Sequence, residues 1–568
     1  MDGVAVARGR YFLSRGRRDR RSDAWEWLAR RERALLTPSD ARAACRVALV
    51  YPNTYYVGMS SLALHALYRV LSAAPEVRCE RAFLAPPCLG RSASCAPRPV
   101  SVETQTPLAQ FDALAFSIAF ELDYLNVLKM LDGAGIPPLS RDRDGRHPLL
   151  IAGGVAPSAN PEPVAGIFDA IVIGEVEPIA DALTEALCEA LPAARRSGNG
   201  REAALDALAQ LPGVYVPSRV EPGCRGAVTR LIAEDLDAHE TASAILTPDT
   251  EFANCFLMEV GRGCARGCLF CLASHIYRPL RQRSVAALLR MADAGLQHTR
   301  RIGLVGSALS DYHHLDELVT ELRRRGAAIS TSSLRAESVT PILLQSLADS
   351  GQRQITLAPE AATPRLRQLL KKPTSDERFA AVVDMGISCG IRAYKLYFMV
   401  GLPTETDRDA AAIAECVARL ERAFPTARFS AAVSPFVPKP HTPFQWAPMP
   451  DAEALDNRLR ALRDAFAGLR SRLTTDSPRW AYVQAVLSRG GGELAHVLCT
   501  AHRVGGSARA FLRALREHDI DPDAAFAAPT SPDMPLSWDV VAAVPGAGGV
   551  HATKHRLWQE WQQALAAT

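Results

Sequence analysis

The chain has 568 residues, 48% hydrophobic and 22% charged, the balance of an ordinary globular protein with about three to four domains. Its 65 Lys and Arg against 61 Asp and Glu leave a net charge of +4, which excludes bulk polyanion binding as the main activity. No apolar run reaches the roughly 18 residues of a membrane span, and most of the 13 cysteines are scattered singly, as suits a reducing cytoplasm rather than a disulfide framework.

Residues 1–44 form a basic lead segment. Arg8, Arg10, Arg15, Arg17, Arg18, Arg20 and Arg21 precede no apolar stretch, and Asp2, Asp19, Asp23 and Glu26 interrupt the charge. The segment therefore reads as neither a secretory signal nor a transit peptide, but as a solvated surface segment or an RNA-binding arm. A short helix is expected over 25–36. Between 45 and 195, apolar strands at 47–52, 113–118, 149–154 and 170–174 alternate with helices at 60–73, 124–133 and 179–191. That alternation predicts a doubly wound, Rossmann-like parallel sheet whose ligand site lies at the carboxyl ends of its strands. The residues at those ends are Asn53, Tyr55 and Gly58, then 117–121, Gly153 and Gly154, and Gly174 and Glu175. Residues 193–201 are polar and read as an exposed loop, and 196–250 as a connector with short strands.

The stretch Glu259-Val260-Gly261-Arg262-Gly263-Cys264-Ala265-Arg266-Gly267-Cys268-Leu269-Phe270-Cys271 places three thiols within eight residues after a strand-like run. A structural zinc site normally closes with four Cys or His ligands, and an iron-sulfur cube with four cysteines. Three thiolates at C-x-x-x-C-x-x-C spacing leave an iron open for another ligand; a zinc knot or chance clustering are the competing readings. The glycines of the stretch let the backbone wrap closely around a cluster. From 251 to 450, strands expected at 256–260, 301–305, 328–332, 354–358, 394–399 and 429–433 alternate with helices such as 285–294 and 315–325, giving six βα units. Functional residues of such barrels sit where strands end. Those ends carry Gly306-Ser307-Ala308, Ser333-Leu334-Arg335, Pro359-Glu360-Ala361, Gly401-Leu402-Pro403-Thr404-Glu405-Thr406 and a proline-rich stretch at 434–446. Arg335 is a candidate bidentate partner for a carboxylate. Residues 451–568 read as a helical region, with helices at 455–469, 512–518 and 557–565; Cys499, His496 and His502 lie close together there and read as structural.

These motifs resemble the radical S-adenosylmethionine superfamily, whose signature is C-x-x-x-C-x-x-C with an aromatic residue, here Phe270, before the last cysteine. The resemblance implies a partial (βα)6 barrel in which Cys264, Cys268 and Cys271 ligate a [4Fe-4S] cluster. It implies that S-adenosylmethionine lies on the open iron, near the turn at Ser307, the Glu360 turn and the Gly401, Pro403 and Glu405 turn. The N-terminal sheet resembles the cobalamin-binding domain that precedes the barrel in one class of these enzymes. In the D-x-H-x-x-G hexad of cobalamin domains, Asn53 here stands for the Asp, Tyr55 for the cobalt-ligating His, and Gly58 is in register. A phenol is a poor substitute for imidazole. Together with Gly58-Met59-Ser60, Ile276-Tyr277-Arg278-Pro279 and Lys395-Leu396-Tyr397-Phe398-Met399, the pattern is similar to a bacterial family of uncharacterised radical enzymes with a cobalamin-domain-like N-terminus. The implied function is reductive cleavage of S-adenosylmethionine to a 5'-deoxyadenosyl radical that modifies an unactivated carbon, with cobalamin-dependent methyl transfer as one form. A non-methylating rearrangement, a sulfur insertion, or a non-enzymatic iron-sulfur protein acting with an RNA or protein partner are the alternatives. A reductant such as flavodoxin or ferredoxin and a small-molecule, peptide or RNA substrate are the implied partners.

Overall fold

A computed structural model describes residues 23–36, 43–85, 98–197, 200–221, 223–523, 531–543 and 549–566. The arginines of the basic lead up to Arg21 lie outside the described residues.

The first sheet is built from β1 (Cys45–Tyr51), β2 (Val77–Phe83), β3 (Ala113–Ser117), β4 (Leu149–Gly153), β5 (Ala170–Val172) and β6 (Val214–Tyr215), in the order β2-β1-β3-β4-β5-β6. All pairs are parallel except the last. Alternate residues of β1 enter opposite layers. Val47, Leu49 and Tyr51 pack with residues of α1 (Leu62–Ala73) and α3 (Ala180–Ser197), while Ala48 and Val50 pack with residues of α2 (Tyr124–Ala134). Each buried aliphatic side chain contributes about 1.5–3 kcal/mol. The strand order reverses direction between β1 and β3, the place where open α/β sheets bind ligands.

The chain then runs through β7 (Phe256–Arg262), the short β8 (Arg281–Gln282), β9 (Arg301–Gly306) and β10 (Ala328–Thr331), forming one sheet in the order β8-β7-β9-β10. A second sheet holds β11 (Gln354–Glu360), β12 (Ala393–Val400), β13 (Arg428–Pro435) and β14 (Arg472–Thr475) in sequence order. A parallel bridge from Leu334 to Leu357 joins the two, so β7, β9, β10, β11, β12 and β13 make one curved parallel wall. The register shifts between Glu259 and Gly261 on β7 and between Leu357 and Glu360 on β11, both just before residues that line the wall's carboxyl edge.

The connecting helices start where polar caps dictate. Ser284, Thr340 and Ser375 each accept a backbone N–H of the first turn of α4 (Val285–Leu296), α6 (Pro341–Asp349) and α7 (Asp376–Ser388), with α5 (Leu315–Arg324) between them. Thr406 and Asp409 form a reciprocal capping box on α8 (Asp407–Ala423). Among the described residues after β13, the α-helices are α9 (Ala452–Phe466), α10 (Pro478–Arg489), α11 (Leu494–Arg503), α12 (Ala508–Glu517) and α13 (Gly549–Ala566). No helix among the described residues is long and apolar enough to cross a membrane.

Several expectations need correction. The helix expected over 25–36 ends at Ala29, because Glu32 is drawn to Arg81 and Tyr55 and Arg33–Ala34 pairs antiparallel with Ile245–Leu246. The loop expected over 193–201 is largely helical: α3 runs to Ser197 and a further helix begins at Gly200. Strand β2 was not anticipated, since Glu80 and Arg81 disguise it; both are buried and paired, Arg81 with Glu32 and Glu103, and Glu80 with Ser101 and Thr104. The C-terminal region also contributes β14, parallel to β13.

Candidate metal and cofactor site

Strand β7 delivers the chain to Gly263, at φ +90, where an added Cβ would lie 2.2 Å from the Tyr277 carbonyl oxygen. Only glycine fits there. The following loop carries the three thiols, all free; Cys264 and Cys268 are buried and Cys271 is half-buried. Its backbone is tied down at Leu269, whose N–H donates to Leu370 O at 3.2 Å and whose carbonyl accepts from Phe444 N at 3.2 Å. The His275 ring nitrogen bonds the Cys268 carbonyl at 3.1 Å. Phe270 packs beside Leu366, Leu369, Phe436 and Phe444, so the aromatic position wedges the loop against the far strands.

Cations gather on this loop. Arg335 Nη1 lies 3.8 Å from Cys268 Sγ. Burial pushes the Cys268 thiol up, while Arg335 and Lys372 pull it down. Arg278 and Lys371 approach Gly267, their side-chain nitrogens 3.0 and 4.0 Å from where a Cβ would sit. Three unbridged thiols on a glycine-shaped loop, ringed by guanidinium and ammonium groups, fit a thiolate-ligated cluster of net negative charge.

The strand ends read from the sequence meet this loop unevenly. Glu360 sits at φ +65, a conformation costly for a non-glycine residue, and its Oε1 accepts Lys372 Nζ at 2.8 Å. The same lysine bears on Cys268, so Glu360 stands beside the cysteine loop. Ser307 is exposed in the turn after β9. Gly401, at φ +82, and Pro403 are buried in the turn after β12. Glu405 is folded back into that turn, its Oε2 accepting Leu402 N at 2.7 Å, and burial pushes its carboxyl up to about 7. Lys372 was missed by sequence reasoning; it lies twelve residues after Glu360, and only folding pairs them.

The N-terminal strand ends are engaged internally. Asn53 donates to Asp123 at 2.8 Å, and the buried Tyr55 phenol donates to Glu32 at 2.6 Å. A Cβ at Gly58, Gly154 or Gly174 would lie 2.4 Å from the Phe83 ring, the Ile118 carbonyl or the Leu231 carbonyl respectively, while Gly153 has ordinary contacts with Val172. Glu175 is buried and receives Arg281 on both oxygens at 2.8 Å, Arg262 at 2.9 Å and the Ala233 N–H at 2.8 Å. Burial opposes its charge, yet Arg281 and Arg262 hold its carboxyl below the usual range. Just beyond the end of β3, the buried Glu121 pairs with Lys439, which follows β13, and accepts Gln484 Nε2 of α10 at 2.8 Å.

Two protein-family models match the chain: residues 63–217 match the N-terminal region of radical SAM proteins, and residues 258–417, which contain the cysteine loop and both glutamate turns, match the radical SAM superfamily. The chain is a radical SAM protein. Membership implies a [4Fe-4S] cluster and S-adenosylmethionine as cofactors. An uncharacterised protein of Methanocaldococcus jannaschii is 29% identical over 408 residues, covering 70% of this radical SAM protein and 79% of the relative. Among solved structures, the radical S-adenosylmethionine methyltransferase TsrM from Kitasatospora setae, with cobalamin and a [4Fe-4S] cluster bound, is similar at 14% identity and a TM-score of 0.48, covering 84% of this chain and 99% of that one. The cobalamin-dependent S-adenosylmethionine radical enzyme OxsB, with aqua-cobalamin bound, is similar at 13% identity and a TM-score of 0.47, covering 92% and 80%.

Proposed function

We propose that this radical SAM protein is an enzyme in which Cys264, Cys268 and Cys271 hold a [4Fe-4S] cluster and in which an unactivated carbon of the substrate is modified. The single observation that carries the reading is the set of three free thiols on one glycine-shaped loop with Arg335 against Cys268 and the Glu360–Lys372 pair beside it. When bound and reduced by a flavodoxin- or ferredoxin-type donor, the cluster supplies the electron that cleaves S-adenosylmethionine to methionine and a 5'-deoxyadenosyl radical. The chain's own residues position and protect. Arg335 and Lys372 offset the negative charge of the thiolates, and Glu360 offers a carboxylate to a cationic group of the bound S-adenosylmethionine. The Gly401 and Pro403 turn presents backbone, and Phe270 keeps water from the far side of the loop.

A second reading, cobalamin-dependent methyl transfer, is favoured by the strand order of the N-terminal sheet, whose reversal point lies between β1 and β3. The residues there do not suit a corrin as they stand. Tyr55 spends its phenol on Glu32, and Asn53, after β1, spends its amide on Asp123, after β3. A corrin held at these strand ends would draw on contacts other than the Tyr55 phenol.

The test is anaerobic incubation of reconstituted, reduced protein with S-adenosylmethionine. 5'-Deoxyadenosine is expected from the native chain and not from Cys268→Ala; no nucleoside from either would overturn the enzymatic reading. Mass spectrometry of copurified corrinoid in the same preparation separates the two forms.

A further inference from the structure

The structure assigns a second metal site, sharing no residue with the cysteine loop: we propose that Asp533, His551 and His555 bind a borderline divalent cation, zinc above all. His551 and His555 lie four residues apart on α13, so both rings leave the same helical face. Asp533 reaches the same point from the segment before the helix. Its Oδ1 lies 3.3 Å from His551 Nδ1 and 3.0 Å from His555 Nε2, and the three ligand atoms all fall within 4.8 Å of one another.

Those separations match the chemistry. Zinc bonds imidazole nitrogen and carboxylate oxygen at about 2.0–2.1 Å, and a tetrahedron of such bonds has edges of about 3.3 Å. Two imidazoles and one carboxylate are donors of borderline and hard character, with no thiolate to select iron-sulfur chemistry or copper(I). Three protein ligands at an exposed position leave a fourth for water.

The ligands are held in place by contacts that do not involve the ion. The Asp533 carbonyl accepts Arg225 Nη2 at 3.2 Å, and its N–H donates to Ser531 at 3.1 Å. Lys554, between the two histidines, donates to Met534 O at 2.7 Å and to the buried Asp539 at 2.8 Å, fastening the segment to the helix. The site therefore acts as a clip on α13. That helix in turn packs Trp561 against Phe444 and Trp558 against Trp446, in the stretch after β13 whose Phe444 N–H bonds the cysteine loop. Both histidines lie in the first half of α13, where the helix dipole opposes a cation. The negative charge of Asp533 offsets that opposition and is required.

The experiment is anaerobic zinc titration of the full-length, cluster-loaded protein by calorimetry, with metal analysis after equilibrium dialysis. Loading the cluster first keeps zinc off the three thiols. One equivalent of zinc is expected beyond the iron, with affinity reduced at least tenfold in the double variant His551→Ala, His555→Ala and in Asp533→Asn. Far-UV circular dichroism and iron content are expected to be unchanged in all three proteins, since the side chains are surface-facing. A zinc-dependent rise in Tm is expected in the native protein alone. Equal zinc uptake by the native protein and the double variant, or none by either, would overturn the proposal and leave a metal-free His–Asp pair.

Discussion

Glu175 takes Arg281 on both of its carboxylate oxygens, at 2.8 Å each, and so fastens the end of the N-terminal sheet to the strand that follows the cysteine loop. Arg262, the last residue of β7, joins the same carboxylate at 2.9 Å and pairs with Glu177 and Glu259. One buried acid thus holds both flanks of the segment carrying Cys264, Cys268 and Cys271. The same contact ties the end of the N-terminal sheet to the barrel strands on either side of the cysteine loop.

Glu175→Gln leaves the Arg281 guanidinium without a counter-charge in a buried setting. Removing one partner of such a pair costs about 3–5 kcal/mol. A lower midpoint in denaturant and a smaller iron and sulfide content after reconstitution are expected. An unchanged midpoint would mean that Glu177 and Glu259 suffice to hold the flank.

The cation at Cys268 should tune any cluster bound there. Arg335→Ala removes the guanidinium 3.8 Å from Cys268 Sγ. A loss on the order of 1 kcal/mol of charge stabilisation in a partly buried site corresponds to about 40 mV for a one-electron couple. A redox titration followed by electron paramagnetic resonance should place the cluster's midpoint lower by about that amount, with Arg335→Lys intermediate. A midpoint that does not move would remove Arg335 from the site.

The six wall strands were legible in the sequence because each carries a short apolar segment, fully buried at 256–258 and 302–304 and buried on alternate residues in the strands at 354–360 and 393–400. The cysteine loop was legible from spacing alone. What escaped was decided by pairing across the fold. Strand β2 looks polar until Arg81 meets Glu32 and Glu103. Glu175 sits at a strand end like a ligand-binding residue, yet its partners come from β7 and β8, more than eighty residues on. Glu405 belongs to a turn whose pattern invites a cofactor role, and the fold spends its carboxylate on Leu402 N. Lys372 has no motif around it, and its importance arises only because Glu360 and Cys268 converge on it.

Backbone shape at the loop entrance admits a sharp comparison. Gly263→Ala forces a Cβ to within 2.2 Å of the Tyr277 carbonyl, a clash with backbone that cannot be relieved by a rotamer change. Gly135→Ala, also at positive φ (+69), meets nothing within 4 Å and carries only the left-handed penalty of about 1–2 kcal/mol. Gly263→Ala should therefore lose cluster incorporation and much of the thermal stability, while Gly135→Ala keeps its full iron content. Equal behaviour of the two variants in iron analysis and Tm would show that the loop entrance tolerates displacement.

Glu405 gives a pH dependence with a definite sign. Its carboxyl is raised from an ordinary value of 4.5 to about 7, first by burial, so the folded state binds a proton that the unfolded state has already released between those values. A raised folded pKa contributes stability that is full below the unfolded value and is lost as pH rises through the folded one. The native chain should thus lose stability from about pH 4.5 to about pH 7 through this group, and above that it carries an ionised carboxylate in a buried turn. Glu405→Gln keeps an oxygen to accept the Leu402 N–H without the charge. Urea unfolding of both proteins at pH 5 and pH 8 should show the variant gaining on the native chain at the higher pH. A difference between them that stays constant across the two pH values would assign the burial of Glu405 no energetic role.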